Sequence, residues 1–132
     1  MSGGPFFDTN VPLYLLSEES TKAGRAEELL ASGGTISVQV LNEFAAVARR
    51  KHRVPWKVIE ELLAGLRLVC RVEPLTVVTH ERAVALSRRY GFHICDATIA
   101  ASAIEAGCET LYSEDLQHGQ VFDGLTVTNP FR

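Results

Sequence analysis

Most of the 16 acidic residues in this 132-residue chain fall on the polar faces of helical patterns, but four do not. Asp8 follows two phenylalanines, Phe6 and Phe7, that have the character of a short buried strand. Asp115 follows the triplet Thr110-Leu111-Tyr112 by way of Ser113 and Glu114, and on residue type alone Glu114 is as good a carboxylate. Asp96 opens a stretch whose next eight side chains are small or apolar. Glu43 lies three residues after Val40 and four before Val47, so it borders the apolar face of a helix. An acid placed where a buried strand runs out is costly unless it faces a cation, a donor or a metal.

Each of the four also has a plainer role. Asp96 suits a helix N-cap, and Asp8 suits the cap of a helix starting at Val11. Asp115 suits the start of a helical turn. Glu43 has no cap to make, but it could reach solvent or pair with Arg49 or Arg50. Two acids at strand ends, one at a helix start and one on a half-buried helix face can all point to one sheet edge. In a partly desolvated cleft such a group repels itself strongly unless a hard divalent cation sits among the oxygens. Oxygen-only ligands suit Mg2+ or Mn2+. The chemistry that follows is phosphodiester hydrolysis, in which a metal activates water and steadies charge on the scissile phosphate.

The elements that must position these acids alternate along the chain. Strand character is found at residues 6–7, 35–38, 68–72, 110–112 and 125–128, the last after an Asp123-Gly124 turn. Helical periodicity covers residues 11–16, 22–31, 39–51, 55–66, 76–90 and 94–106, with stops at Gly33-Gly34, Gly91 and Gly107. Alternation of this kind predicts a parallel sheet covered on both faces. The expected fold is a single three-layer α/β/α domain over residues 1–132, with a central, mostly parallel sheet of four to five short strands. Residues 1–4 read as a flexible start.

Composition narrows the class. Hydrophobic content of 46% and charged content of 22% describe a globular chain rather than a disordered one. No apolar run approaches the ~18 residues of a membrane span, and no basic segment followed by an apolar one opens the chain as a secretion signal does. Cys70, Cys95 and Cys108 lack zinc spacing and predict buried thiols in a reducing cytoplasm. The four histidines lack paired spacing as well, so zinc is not expected. A net charge of −3 gives no overall basic footprint for nucleic acid. The one basic run, Arg49-Arg50-Lys51-His52-Arg53, serves either as a solvated helix end or as a contact for RNA phosphates.

Taken in order, Phe6-Phe7-Asp8-Thr9-Asn10, then Asn42-Glu43-Phe44, then Cys95-Asp96-Ala97-Thr98, then Tyr112-Ser113-Glu114-Asp115-Leu116 resemble the PIN-domain ribonucleases. The tail from Ser113 to Phe131 is especially similar to the VapC-type toxins of bacterial toxin–antitoxin systems, and the resemblance spans essentially the whole chain. It implies that Asp8, Glu43, Asp96 and Asp115 are a catalytic quartet that holds Mg2+ or Mn2+ and orients the attacking water. It implies further that Asn10 and Ser113 hydrogen-bond a carboxylate or the substrate phosphate. Such proteins are single-strand-specific endoribonucleases that dimerise and are held inactive by a cognate antitoxin, which threads a segment, often with an Arg, into the acidic groove. One departure is Cys95, where a larger residue is expected before the acid. Another is the scarcity of basic residues near the acids, which leaves Arg49, Arg50, Lys51 and Arg53, or Arg88 and Arg89, to grip RNA.

Three readings compete. The first is a metal-dependent endoribonuclease acting as the toxin of a type II pair, or an RNA-processing nuclease without an antitoxin. The second is an interaction module of the same fold whose acidic groove binds a basic peptide. The third is a phosphotransferase with Asp8 as nucleophile, a chemistry whose usual second acid two residues on is here Asn10.

Overall fold

The computed structural model describes residues 4–132, so most of the expected flexible start lies outside the described residues. The elements run β1 (Phe6–Phe7), α1 (Asn10–Leu13), a 3-10 turn (Tyr14–Leu16), α2 (Ser20–Ala31), β2 (Gly34–Ser37), α3 (Val38–Arg50), α4 (Trp56–Val69), β3 (Cys70–Glu73), α5 (Val77–Tyr90), α6 (Ile94–Glu105), β4 (Thr110–Tyr112), β5 (Val121–Phe122) and β6 (Leu125–Thr128). Six strands form one sheet in the order β3-β2-β1-β4-β6-β5. All pairings are parallel except that of β5 with β6. Helices flank the sheet: α1, α2, α3 and α4 pack among themselves, and α5 packs along α6.

A strand of only two residues, β1, sits near the centre. Phe6 and Phe7 are wholly buried, and Phe6 pairs with Thr35 on one side and Leu111 on the other. Gly34 is what lets β1 and β2 approach. A Cβ there would lie 2.6 Å from both the Phe7 ring and the Pro5 carbonyl oxygen, far inside contact distance. Helix α6 is buried from Ala97 through Ala103, and its alanines bring it close to the sheet, as a face of large side chains would not.

Several boundaries differ from expectation, and three have a visible physical reason. Helix α4 runs three residues past the expected end at 66, and β3 begins at Cys70 rather than at 68. Leu68 and Val69 carry strand character but are exposed, so nothing in the core pulls them into the sheet. Val38 belongs to α3 because the Ser37 hydroxyl accepts from the Val40 N–H at 3.3 Å and starts the helix there. The additional strand is β5. Asp123 and Gly124 both take positive φ, 50° and 79°, in a two-residue hairpin turn that pairs Phe122 with Leu125.

Candidate active site

Strand order decides where the acids meet. From β1 the chain turns to β2 on one side, and β4 lies on the other, so the sheet reverses its winding between β1 and β4. In open parallel sheets, clefts form beyond the carboxyl ends of strands at such a point. Asp8 leaves β1 there and donates its backbone N–H to the Tyr112 carbonyl at 2.9 Å. Ser113 and Asp115 leave β4 beside it.

The site is built outward from Asp8, which is 2% exposed. Its Oδ2 accepts the Ser113 hydroxyl at 2.6 Å, and its Oδ1 accepts the Thr9 N–H at 2.7 Å. The Ser113 oxygen in turn accepts the N–H of Asp115 at 3.0 Å and that of Leu116 at 3.4 Å, which bends the chain after β4 into a turn. That turn divides the adjacent acids. Asp115 faces Asp8, whereas Glu114 faces the other way and accepts the Tyr14 hydroxyl at 2.5 Å, with Lys22 at 3.5 Å.

Asp96 arrives from α6, and it is not the cap of that helix. His93 takes that role, its Nδ1 accepting from the Cys95 N–H at 3.2 Å. Asp96 therefore sits inside the first turn with its carboxylate uncommitted to the backbone. One oxygen each from Asp8, Asp96 and Asp115 lies within 4.8 Å of the others.

Glu43 stands beside this trio rather than in it. Its Oε1 accepts the Thr9 hydroxyl at 2.7 Å and its Oε2 the Gln39 amide at 2.6 Å, so neither Arg49 nor Arg50 is its partner. Thr9 thus ties Glu43 to the residue next to Asp8. Thr9 and Gln39 are site residues that the motif reading passed over. Gln39 was findable, since it lies four residues before Glu43 on one helix and so on the same face. Thr9 had no comparable signal, because its bond spans 34 residues.

Electrostatics follow from burial and crowding. Burial pushes the Asp8 carboxyl up to about 7 from its ordinary 3.8; the Ser113 hydroxyl and Thr9 N–H oppose the rise, while Asp115 and Asp96 add to it. The Asp96 carboxyl is also raised, first by burial and then by Asp115 and Glu43, with His93 opposing. The ion pairs of the described residues are Lys22–Glu114, Arg71–Glu73 and Arg82–Glu105, so no lysine or arginine neutralises the trio. Three converging carboxylates without a cation suit a divalent metal with oxygen ligands, and the donor set fits one. Such an ion would draw both raised pKa values down.

The remaining expected residues are placed differently. Both side-chain polar atoms of Asn10 are buried without a partner among the described residues, and so reach no carboxylate. Arg49 donates to the Val54 carbonyl at 3.3 Å and lies over the Trp56 ring, closing the turn between α3 and α4. Arg50 and Arg53 are exposed at the same corner, Arg53 with φ of 54°. Cys95 is half-buried next to Asp96, and Cys70 and Cys108 are buried; all three are thiols. Among the described residues no helix is long and apolar enough to cross a membrane.

The sequence matches the PIN domain over residues 6–121. The chain belongs to the PIN-domain family. No curated protein matches it in sequence. Among solved structures, this PIN domain is similar to the sarcin-ricin loop cleaving toxin VapC20 of Mycobacterium tuberculosis, with 27% identity and a TM-score of 0.66 over 83% of this chain and 88% of that one. A chain of a toxin–antitoxin complex from Klebsiella pneumoniae superposes with a TM-score of 0.72 at 23% identity, covering 96% of this chain and 97% of its own. FitAcB from Neisseria gonorrhoeae gives 0.65 at 19% identity, over 96% and 98%. The last two establish a shared fold.

Proposed function

We propose that this PIN domain is a metal-dependent endoribonuclease that hydrolyses phosphodiester bonds in RNA as the toxin of a type II toxin–antitoxin pair in the cytoplasm. The observation that carries the reading is the approach of Asp8, Asp96 and Asp115 oxygens to within 4.8 Å with no lysine or arginine ion-paired to them among the described residues. Asp8, Asp96 and Asp115 would hold Mg2+ or Mn2+ there, which would supply positive charge for the scissile phosphate and lower the pKa of a bound water.

The chain's own residues do the positioning. Ser113 and the Thr9 N–H fix Asp8 as the rigid wall, and the turn around Ser113 aims Asp115 across from it. Glu43, held at both oxygens, retains lone pairs with which to orient the attacking water. The same unneutralised groove suits an arginine-bearing segment of an antitoxin, through charge-assisted hydrogen bonds. The toxin relatives support that partner, and a homodimer accords with the resemblance.

The test is cleavage of single-stranded RNA by purified protein with Mn2+. Asp8→Asn and Asp96→Asn should each abolish cleavage while leaving the circular dichroism spectrum intact. Cleavage that survives both substitutions and exhaustive chelation would sink the proposal.

A further inference from the structure

Next to the acids lies a cavity that their chemistry does not use. It has a volume of about 540 Å3 and lies between the α1 and 3-10 segment and the C-terminal half of α3. Ligand pockets commonly span ~300–1,000 Å3, so the space is ample for one nucleobase with its sugar. Two routes tie it to the site. Asn10, two residues after Asp8, lines it. Glu43 and Val47 lie four apart on α3, and Lys51, four further on, caps its C-terminus, so the helix face that presents Glu43 to the acids presents Val47 and then Lys51 to the cavity. Val47 is ~6 Å and Lys51 ~12 Å along the helix axis from Glu43. A single strand crossing the acids would therefore continue into this space.

The lining describes the occupant. Its walls are apolar at Leu13 and Val47, suited to a flat ring. Its charges are mixed, with Lys51 and His52 set against Glu18 and Glu19. That balance gives little net pull on a bare phosphate, and it favours a neutral plane carrying both donors and acceptors. Asn10 lines the cavity, and its carboxamide, buried as it stands, has neither oxygen nor nitrogen hydrogen-bonded among the described residues, so it gives up no partner in turning toward the space. An unpaired buried amide is unfavourable. A turn about its own side-chain torsions would bring it to a base edge, where an amide donates and accepts at once.

We infer that this cavity seats one base of the RNA substrate beside the cleaved bond, with Asn10 selecting the base and Val47 forming its floor. The inference rests on the ribonuclease reading, since it names how that substrate is chosen.

The test is a methyl-resolved NMR titration of the full chain, without divalent metal, using the four nucleoside 5′-monophosphates and ribose 5-phosphate. Base-bearing ligands should shift the methyls of Leu13, Leu16 and Val47 to an extent that depends on the base, and ribose 5-phosphate should not. Val47→Phe, which puts a ring where the base would lie on its floor, should weaken the shifts at Leu13 and Leu16. Asn10→Ala should weaken the preferred nucleotide about tenfold, the discrimination of one two-point base contact. Equal shifts with ribose 5-phosphate, no shifts at all, or shifts unchanged in both variants would overturn the inference. Shifts with an arginine-bearing peptide alone would overturn it too and assign the cavity to a protein partner. Because no metal is present, the titration reads the cavity independently of cleavage. Protein that cuts RNA yet shows no nucleotide shifts keeps its ribonuclease reading and loses this one.

Discussion

Ser113 donates its hydroxyl hydrogen to Asp8 Oδ2 at 2.6 Å, across 105 residues of sequence, and the same oxygen accepts the Asp115 N–H. One buried hydroxyl thus sets both the orientation of Asp8 and the direction of Asp115. Ser113→Ala removes the donor that holds the Asp8 carboxyl down, so the pH at which activity appears should rise. Losing such a support costs roughly 10–100-fold in metal affinity or rate. A pH–rate profile with a parallel Mn2+ titration measures both, and an unshifted profile would contradict the assignment.

Without metal, stability should depend on pH through Asp8. The carboxyl loses its proton near 3.8 in the unfolded chain and near 7 in the folded one. Between those values the unfolded state binds fewer protons, so stability is full at low pH and falls as pH rises. The full shift corresponds to a loss on the order of 4 kcal/mol. Urea midpoints in chelator should drop from pH ~5 to pH ~8 for the native chain, and Asp8→Asn should flatten that slope because an amide does not titrate. Parallel slopes would refute it.

Asp115 and Glu114 should separate cleanly. Asp115→Asn should remove Mn2+ binding in calorimetry, whereas Glu114→Gln should retain it. The Glu114 change loses the Lys22 ion pair and weakens the bond to Tyr14, at a cost within ~1 kcal/mol for so accessible a pair.

Thr9→Val should lower the rate by roughly tenfold while Thr9→Ser restores it. Thr9 is buried and its hydroxyl is one of two donors holding Glu43, so valine keeps the shape but leaves Glu43 loose. A valine variant as active as the serine variant would show that Glu43 needs no such anchor.

Gly34→Ala should destabilise the fold by ~1–3 kcal/mol, the usual range for forcing a methyl into a packed core. The added carbon would meet backbone at Pro5 as well as the Phe7 ring, and backbone cannot rotate away. A thermal melt checks it.

Much of this protein was determined along the chain. The strand–helix alternation set the layered parallel fold, because period and breakers are local properties. Phe6-Phe7 before Asp8 and Tyr112-Ser113 before Asp115 marked acids at strand ends. What the chain alone could not supply was anything that depends on two distant segments meeting. One local choice was open as well, since either Asp96 or His93 could cap α6, and His93 does. Whether Glu114 or Asp115 faced the acids turned on Tyr14 and Lys22, about a hundred residues away. Glu43 carries the right charge at the right spacing, yet Thr9 and Gln39 hold it beside the trio. Residue type and period fixed which acids could act. The sheet order that sets β1 against β4 decided which oxygens meet, since a carboxylate cluster exists only where separate elements converge.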